Sequence, residues 1–294
     1  MNVAFCVNRP MLPGLYAAIR SLVINASDRH SISLYVIHNG LTSAEVAQIQ
    51  KIAEEELHCH YELIECDPNR HFGELRALHG DRTNYVRLLL PELIPDSRVL
   101  YLDSDLVVEC DTLHLEAFDF QGAPLAAVRS GEFAYSLDYG FLIETLGLPP
   151  GSRGFNSGVL LFDLEAWRKA DLTKRCLSFA AEYNSAFLDC DQTILNALFT
   201  ASFAELPEAL NIQWQARRPP LTPHGAIFHF VGSPKPWDIF GSVLHTGFKK
   251  WHVYSRSADG ADIRALLQRA WHIRRSYARV VLERIKSHQQ PPVN

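Results

Sequence analysis

The 294-residue sequence predicts an α/β protein, with a mostly parallel sheet and helices on both faces. Short apolar runs alternate with stretches of helical period, and Asn, Gly or Pro bounds most of the apolar runs. Val3 to Val7, followed by Asn8-Arg9-Pro10, suits a buried strand, and Leu15 to Ile24 places Leu15, Ile19, Leu22 and Val23 at helical spacing. Ser33 to His38 reads as a second strand ended by Asn39-Gly40, and Thr42 to Glu56 as a helix opened by a Thr42-x-x-Glu45 capping box. A third strand covers Tyr61 to Ile64, a helix covers Asn84 to Leu90 and stops near Pro91, and an apolar strand from Arg98 to Leu102 runs into Asp103-Ser104-Asp105. Ligands of such sheets bind outside the carboxyl ends of the strands, which puts Asn8 and Asp103 to Asp105 at one rim.

The second half is more mixed. Gly158 to Phe162 is strand-like; Leu164 to Ala170, Leu172 to Tyr183 and Gln192 to Phe199 are helical; Ile227 to Val231 is a last strand. Pro and Gly cluster between 216 and 247, a stretch expected to be largely loop.

Composition narrows the function classes. Hydrophobic residues make up 47% and charged residues 21%, ordinary values for a globular chain. A net charge of -5 argues against a nucleic-acid binder. No segment approaches the roughly 20 apolar residues that span a bilayer. Met1 to Val7 lacks a basic n-region and a cleavage site, so secretion is not expected and a cytoplasmic location is. The six cysteines form no CxxC pair and read as reduced thiols. His58-Cys59-His60 is not expected to hold a metal, because adjacent strand residues point to opposite faces.

Asp103 and Asp105 carry the strongest chemical signal. Residues i and i+2 of a continuing strand face the same way, so both carboxylates can reach one hard cation, and that cation can clamp a diphosphate. Alone the triplet could equally be a pair of solvated turn carboxylates. Three further segments stand beside it: Phe155-Asn156-Ser157-Gly158-Val159-Leu160-Leu161, Asp191-Gln192, and His229-Phe230-Val231-Gly232-Ser233-Pro234-Lys235-Pro236-Trp237. A His after a strand can be a third metal ligand, a Gly admits a phosphate close to backbone, and a Lys neutralises it.

Taken in order, D-x-D, F-N-S-G-V-L, D-Q and H-F-x-G-x-x-K-P-W resemble the retaining glycosyltransferases of family 8, which include bacterial lipopolysaccharide galactosyl- and glucosyltransferases and the glycogenins. The resemblance runs from residue 3 to about residue 251 and takes in Thr83-Asn84-Tyr85-Val86-Arg87-Leu88. It implies a GT-A type, Rossmann-like fold: a domain over 1–255, with a nucleotide-binding half to about 110 and a donor-sugar and acceptor half beyond. It implies that Asp103, Asp105 and His229 bind manganese, with magnesium as the alternative, that Lys235 and the Gly232 backbone hold the donor's phosphates, and that Ser104 is among the donor-binding residues. By the same resemblance Arg87 contacts the nucleotide-sugar, Asn156, Asp191 and Gln192 line the donor-sugar pocket, and His79 lies near sugar and acceptor. The implied donor is UDP-galactose or UDP-glucose and the acceptor a saccharide or glycolipid. Gln192 is a poor nucleophile, so retention by a front-face route is expected.

Bland readings stand beside these. Asn156 could cap a turn, Asp191 could be a helix N-cap, His229 could be a satisfied core residue, and Arg87 could form a surface ion pair. Trp237 is expected to pack. The chain departs from the family after its first strand, where Asn8 stands near an expected acidic residue and Met11 near an expected aromatic one. Rival functions are a self-glucosylating protein using Tyr135 or Tyr139, a non-catalytic sugar-nucleotide-binding module, and a metal-dependent hydrolase, in which the K-P-W segment has no natural role.

Residues 256–294 form a separate expectation. Ile263 to Ile285 reads as one helix with Leu267, Trp271, Val281 and Ile285 among its apolar positions, and its six Arg residues, with Lys286 just beyond, stand against Glu283. A basic amphipathic helix suits an anionic membrane surface, here the inner face of the cytoplasmic membrane. The alternative is a helix packed on the domain. The remaining tail, His288 to Asn294, is expected to be disordered.

Overall fold

The computed structural model describes residues 1–78, 80–184, 186–222, 224–256 and 263–289. His79 and the end of the tail, 290–294, lie outside the described residues. The elements in order are β1 (Asn2–Asn8), α1 (Leu12–Ile24), β2 (Ser33–Asn39), α2 (Ser43–Lys51), β3 (His60–Glu65), α3 (Pro68–Phe72), α4 (Leu90–Leu93), β4 (Arg98–Leu102) and β5 (Leu106–Val108). They continue with β6 (Leu125–Glu132), β7 (Arg153–Asp163), α5 (Leu164–Lys169), α6 (Leu172–Tyr183), α7 (Cys190–Phe199), β8 (Ala204–Leu206), β9 (Ile212–Gln213), β10 (Ile227–His229), α8 (Gly241–Leu244), α9 (Phe248–Tyr254), α10 (Ile263–His272) and α11 (Arg274–Gln289).

A seven-stranded sheet runs β3-β2-β1-β4-β7-β6-β8, and β5-β10-β9 make a small second sheet. The pairs β3-β2, β2-β1, β1-β4 and β6-β8 are parallel. β7 is antiparallel to both β4 and β6, so the sheet is mixed at its centre. Apolar clusters cover both faces. One packs α1 on Phe5, Leu100 and Leu161; the other packs Trp167, Ile194 and Phe199 on Tyr101, Leu160 and Phe162.

Local chemistry produced the expected start of α2: Thr42 accepts the Glu45 amide and Glu45 returns a bond to the Thr42 amide. The helix changes to a π-helix over Ile52–Leu57 and stops at His58, which has φ 53°. The helix expected over Asn84 to Leu90 is instead a 3-10 helix over Thr83–Leu89, and Pro91 opens the first turn of α4 rather than ending a helix. Proline is tolerated in a first turn, where its missing N–H has no intrahelical partner anyway. The strand expected at Gly158 begins earlier, at Arg153, so the Asn156-Ser157-Gly158 triplet lies within β7. The cysteines are all free, and Cys59 is buried between the exposed His58 and His60.

The C-terminal segment is two helices with a break at Ile273. Ile273 and Val280 are buried; Val280 and Tyr277 pack with Leu244 and Ala216. Leu267, Trp271, Val281 and Leu282 are exposed, as are Arg274, Arg275 and Arg279. Among the described residues no helix is long and apolar enough to cross a membrane.

Candidate active site

Two strand registers assemble the site. β4 and β7 pair with Leu102 opposite Val159, and one step further the Asp103 amide donates to the Gly158 carbonyl at 2.8 Å. β10 and β5 pair with His229 opposite Leu106, so His229 stands beside Asp105, and the Phe230 amide donates to the Asp105 carbonyl at 2.9 Å. Ligand atoms of Asp103, Asp105 and His229 consequently lie within 4.8 Å of one another. His229 Nε2 is 3.1 Å from Asp105 Oδ1 and 3.6 Å from Asp103 Oδ2.

The three residues fit a hard divalent cation. Two carboxylates face the centre, and His229 Nδ1 lies 3.1 Å from Asn211 Oδ1, a contact that orients the ring with Nε2 toward them. Gly158 keeps the space open: a Cβ there would come 2.7 Å from His229 Nδ1 and 2.8 Å from Asp103 Oδ2. Burial disfavours a charged Asp105, but Lys235 and His229 outweigh it and hold the carboxyl well below the usual range. Lys235 reaches this carboxylate and the Phe230 carbonyl with its ammonium group, at the end of a loop that turns at Gly232, φ 75°. Trp237 packs on Trp251, as expected of it.

Arg87 is a buried hub rather than a surface ion pair. Its Nη2 donates to Asp103 Oδ1 at 2.9 Å, its Nε lies 3.1 Å from Asp191 Oδ2 and donates to the Asn84 carbonyl at 2.9 Å, and its Nη1 donates to the Ser157 carbonyl. It lies over the Tyr101 ring at 4.4 Å, and Tyr101 Oη donates to Asp103 at 2.7 Å. Burial works against the guanidinium charge, and Asp103 and Asp191 outweigh it. Asp191 is not the N-cap of α7, a position that Asp189 holds; it is buried among Arg87, Asn84 and Ser157. Burial and the nearby Asp103 raise its carboxyl above the usual range, against the pull of Arg87.

A row of carboxamides runs from Asn211, beside His229, to Gln192. Asn211 Nδ2 donates to Asn156 Oδ1 at 3.0 Å, and Asn156 Nδ2 donates to Gln192 Oε1 at 2.9 Å. Gln192 Oε1 also accepts the Ser157 amide at 3.0 Å, while its Nε2 donates to Asp189. Asn156 does cap a turn, accepting the Gly158 amide at 3.1 Å, and serves the row as well. The Gln192 oxygen is thus held by two donors. Asp189 is pushed up to about 7 by burial and by the charges of Asp191 and Asp138.

At the other end, Asn8 closes β1 at the same rim, and its Oδ1 is buried without a partner among the described residues. Ser104 donates to the Cys6 carbonyl at 3.1 Å, so its hydroxyl ties the Asp103–Asp105 loop to β1. Met11 packs on the cluster containing Trp237. Asn211, Tyr101, Asp189 and Gly158 were not singled out from the sequence. Gly158 and Asn84 lay inside quoted segments, whereas nothing in the sequence around Asn211 marks it.

A mixed sheet with a carboxylate-carboxylate-imidazole centre at the carboxyl end of β4 defines a GT-A type glycosyltransferase. The structure matches that of the galactosyltransferase LgtC, solved in complex with donor and acceptor sugar analogues, at TM-score 0.71 and 24% identity, covering 86% of this chain and 95% of LgtC. The glycosyl transferase family 8 model matches residues 2–240, and the chain belongs to that family. Relatives include general stress protein A of Bacillus subtilis (strain 168), 26% identical over 257 residues that cover 81% of this chain and 87% of the relative. The lipopolysaccharide 1,2-glucosyltransferase of Escherichia coli (strain K12) is 26% identical over 276 residues, 86% of this chain and 74% of the relative.

Proposed function

We propose that this enzyme transfers a hexose, galactose or glucose, from a UDP-sugar to a hydroxyl of a saccharide or glycolipid acceptor, with retention, in the synthesis of lipopolysaccharide or another cell-surface glycan. The convergence of Asp103, Asp105 and His229 beside Lys235 carries the reading. Asp103, Asp105 and His229 would hold manganese, with magnesium as the alternative, which would supply positive charge to the leaving diphosphate. Lys235 and the Gly232 backbone hold the phosphates, Asn8 takes the base edge, and His79 serves the sugar and acceptor. Asp191 and the Asn156-Gln192 pair shape the wall of the donor-sugar pocket, with Arg87 holding Asp191 and Asp103 in place. In the transfer the acceptor oxygen bonds to the anomeric carbon on the face the diphosphate leaves, and the acceptor proton passes to a diphosphate oxygen. The protein contributes position and electrostatics. The test is UDP release from a panel of sugar nucleotides, each with acceptor and Mn²⁺: release from UDP-galactose or UDP-glucose, silenced by EDTA, is expected, and a metal-independent or UDP-sugar-blind enzyme refutes the reading.

The acceptor is held at a membrane. Leu267, Trp271, Val281 and Leu282 are exposed beside Arg274, Arg275 and Arg279, which suits an anionic surface on the cytoplasmic side. A second reading, self-glucosylation, is favoured by Tyr135, 87% exposed on a loop that Asp138 ties to the start of α7 by accepting from the Leu188 and Asp189 amides. Intact mass after incubation with UDP-glucose separates it from transfer to a free acceptor.

A further inference from the structure

We infer that the C-terminal helix pair is a working part of the donor site, with Arg269 and Asp238 as positioning residues for Lys235. The inference rests on Lys235 being the diphosphate-binding group. Asp238 follows the Lys235-Pro236-Trp237 turn, and its side chain is 2% exposed. One carboxylate oxygen accepts the Lys235 amide at 2.6 Å; the other accepts Nε of Arg269, on α10, also at 2.6 Å. Beyond the turn the Asp238 carbonyl accepts the Gly241 amide at 2.7 Å, which fixes the start of α8. The Lys235 ammonium meanwhile bonds Asp105 and the Phe230 carbonyl. A continuous path therefore leads from α10 through Arg269, Asp238 and the Lys235 backbone to a candidate metal ligand.

A second, independent contact points the same way. α10 also packs against the Arg9–Met11 turn, which follows the base-side residue Asn8. The helix pair thus touches both ends of the nucleotide site and is held there by Leu244, Ala216 and Val280 as well as by the ion pair. Asp238 is buried and is held by Arg269 on one oxygen and by the Lys235 amide on the other. Without Arg269 the carboxylate loses its charged partner and turns toward water, which releases the Lys235 amide and re-aims the ammonium. From its charge pattern alone the C-terminal segment is a detachable membrane anchor, and transfer to a soluble acceptor is expected to survive its removal after Gly260. The ion pair reverses that expectation.

The test is calorimetric binding of UDP and of uridine, with Mn²⁺, to the full chain carrying Arg269→Ala, Arg269→Lys, Asp238→Asn or Arg275→Ala. Loss of one aimed charge-assisted contact predicts about tenfold weaker UDP binding for Arg269→Ala. Uridine, which lacks the phosphates, should bind as to the wild type; Arg269→Lys should recover most of the loss; Arg275→Ala, removing an exposed charge of the same kind, should change nothing. A merely structural role would weaken UDP and uridine together and would not respond to Lys. Asp238→Asn, which leaves no unpaired buried acid, should show the same selective loss even if Arg269→Ala fails to fold. UDP binding at wild-type strength in Arg269→Ala or Asp238→Asn overturns the inference. A wild-type chain that binds no UDP overturns the diphosphate reading, and the inference with it.

Discussion

Replacing Gly158 by Ala adds one methyl group at the point where the side chains of Asp103 and His229, two of the proposed metal ligands, meet. Its Cβ would stand 2.7 Å from His229 Nδ1 and 2.8 Å from Asp103 Oδ2. Comfortable contact begins at about 3.5 Å, and His229 Cε1 would be nearer still, at 2.1 Å, so the imidazole must give way by about 1.4 Å and the carboxylate by about 0.7 Å. The backbone cannot retreat instead, because the Gly158 carbonyl accepts the Asp103 amide at 2.8 Å and β7 is laddered on both sides by β4 and β6. Metal-ligand distances tolerate only about 0.2 Å, and disturbing the groups that orient a ligand costs about 10–100-fold in metal affinity. Overpacking also costs about 1–3 kcal/mol of stability, which the chain should survive with a lowered Tm. The assay is Mn²⁺ binding by calorimetry together with UDP release across an Mn²⁺ titration, with Gly131→Ala as control, since a Cβ at Gly131 meets nothing within 4 Å. The expected result is a shift of the Mn²⁺ dependence to at least about tenfold higher concentration for Gly158→Ala only. Wild-type Mn²⁺ affinity and turnover in that variant would falsify the placing of the metal between Asp103, Asp105 and His229.

Asp103→Asn and Asp105→Asn each remove an anionic ligand and should nearly abolish transfer; turnover near wild type at ordinary Mn²⁺ in either counts against the assignment. Gln192→Ala should lower kcat more than donor affinity, because it unties Asn156 and the Ser157 amide at the proposed sugar wall, and steady-state kinetics showing only a KM effect would make it a binding residue. Asp189 has its pKa raised to about 7 by burial and by Asp191 and Asp138, so the folded state holds a proton that the unfolded state releases near pH 4. Its contribution to stability is therefore greatest below about pH 4, falls as pH rises to about 7 and is flat above. Asp189→Asn should raise Tm at pH 8 more than at pH 5, and equal shifts at both would show that Asp189 does not titrate in that range. The full chain should pellet with anionic vesicles at low salt and be released at high salt, with Trp271→Ala weakening the interaction; failure to pellet at low salt ends the membrane reading.

The alternation of apolar strands with helices located β1 to β4 and α1 to within a few residues, and the capping chemistry at Thr42 is local enough to be read from four letters. The Asp103–Asp105 pair, Asp191-Gln192 and the His229-to-Trp237 segment were legible because each couples a reactive side chain to a nearby change of structure. The 3-10 helix at Thr83–Leu89 was not, because the same spacing of Tyr85, Val86, Leu88 and Leu89 satisfies a tighter turn when Pro91 must begin a new one. The break at Ile273 was not either. Its cause is packing, since Ile273 is buried while Trp271 two residues away is 68% exposed.

By itself the sequence located β1 to β4, part of β7, β10 and the family to which the chain belongs, but not β5, β6, β8 or β9. The tertiary structure decided who stands beside whom. A period of two tells which face of a strand is buried but not its neighbour, so the antiparallel insertion of β7 between β4 and β6 is invisible in one dimension. That pairing sets Gly158 against Asp103, and the β10-β5 register sets His229 against Asp105. The same holds for Arg87, whose charge could have been spent on solvent or ligand and is shared between Asp103 and Asp191, and for Arg269, which finds Asp238 across a fold that composition describes only as a basic tail. Pairing energies of this kind depend on burial and distance, and both are properties of the folded chain.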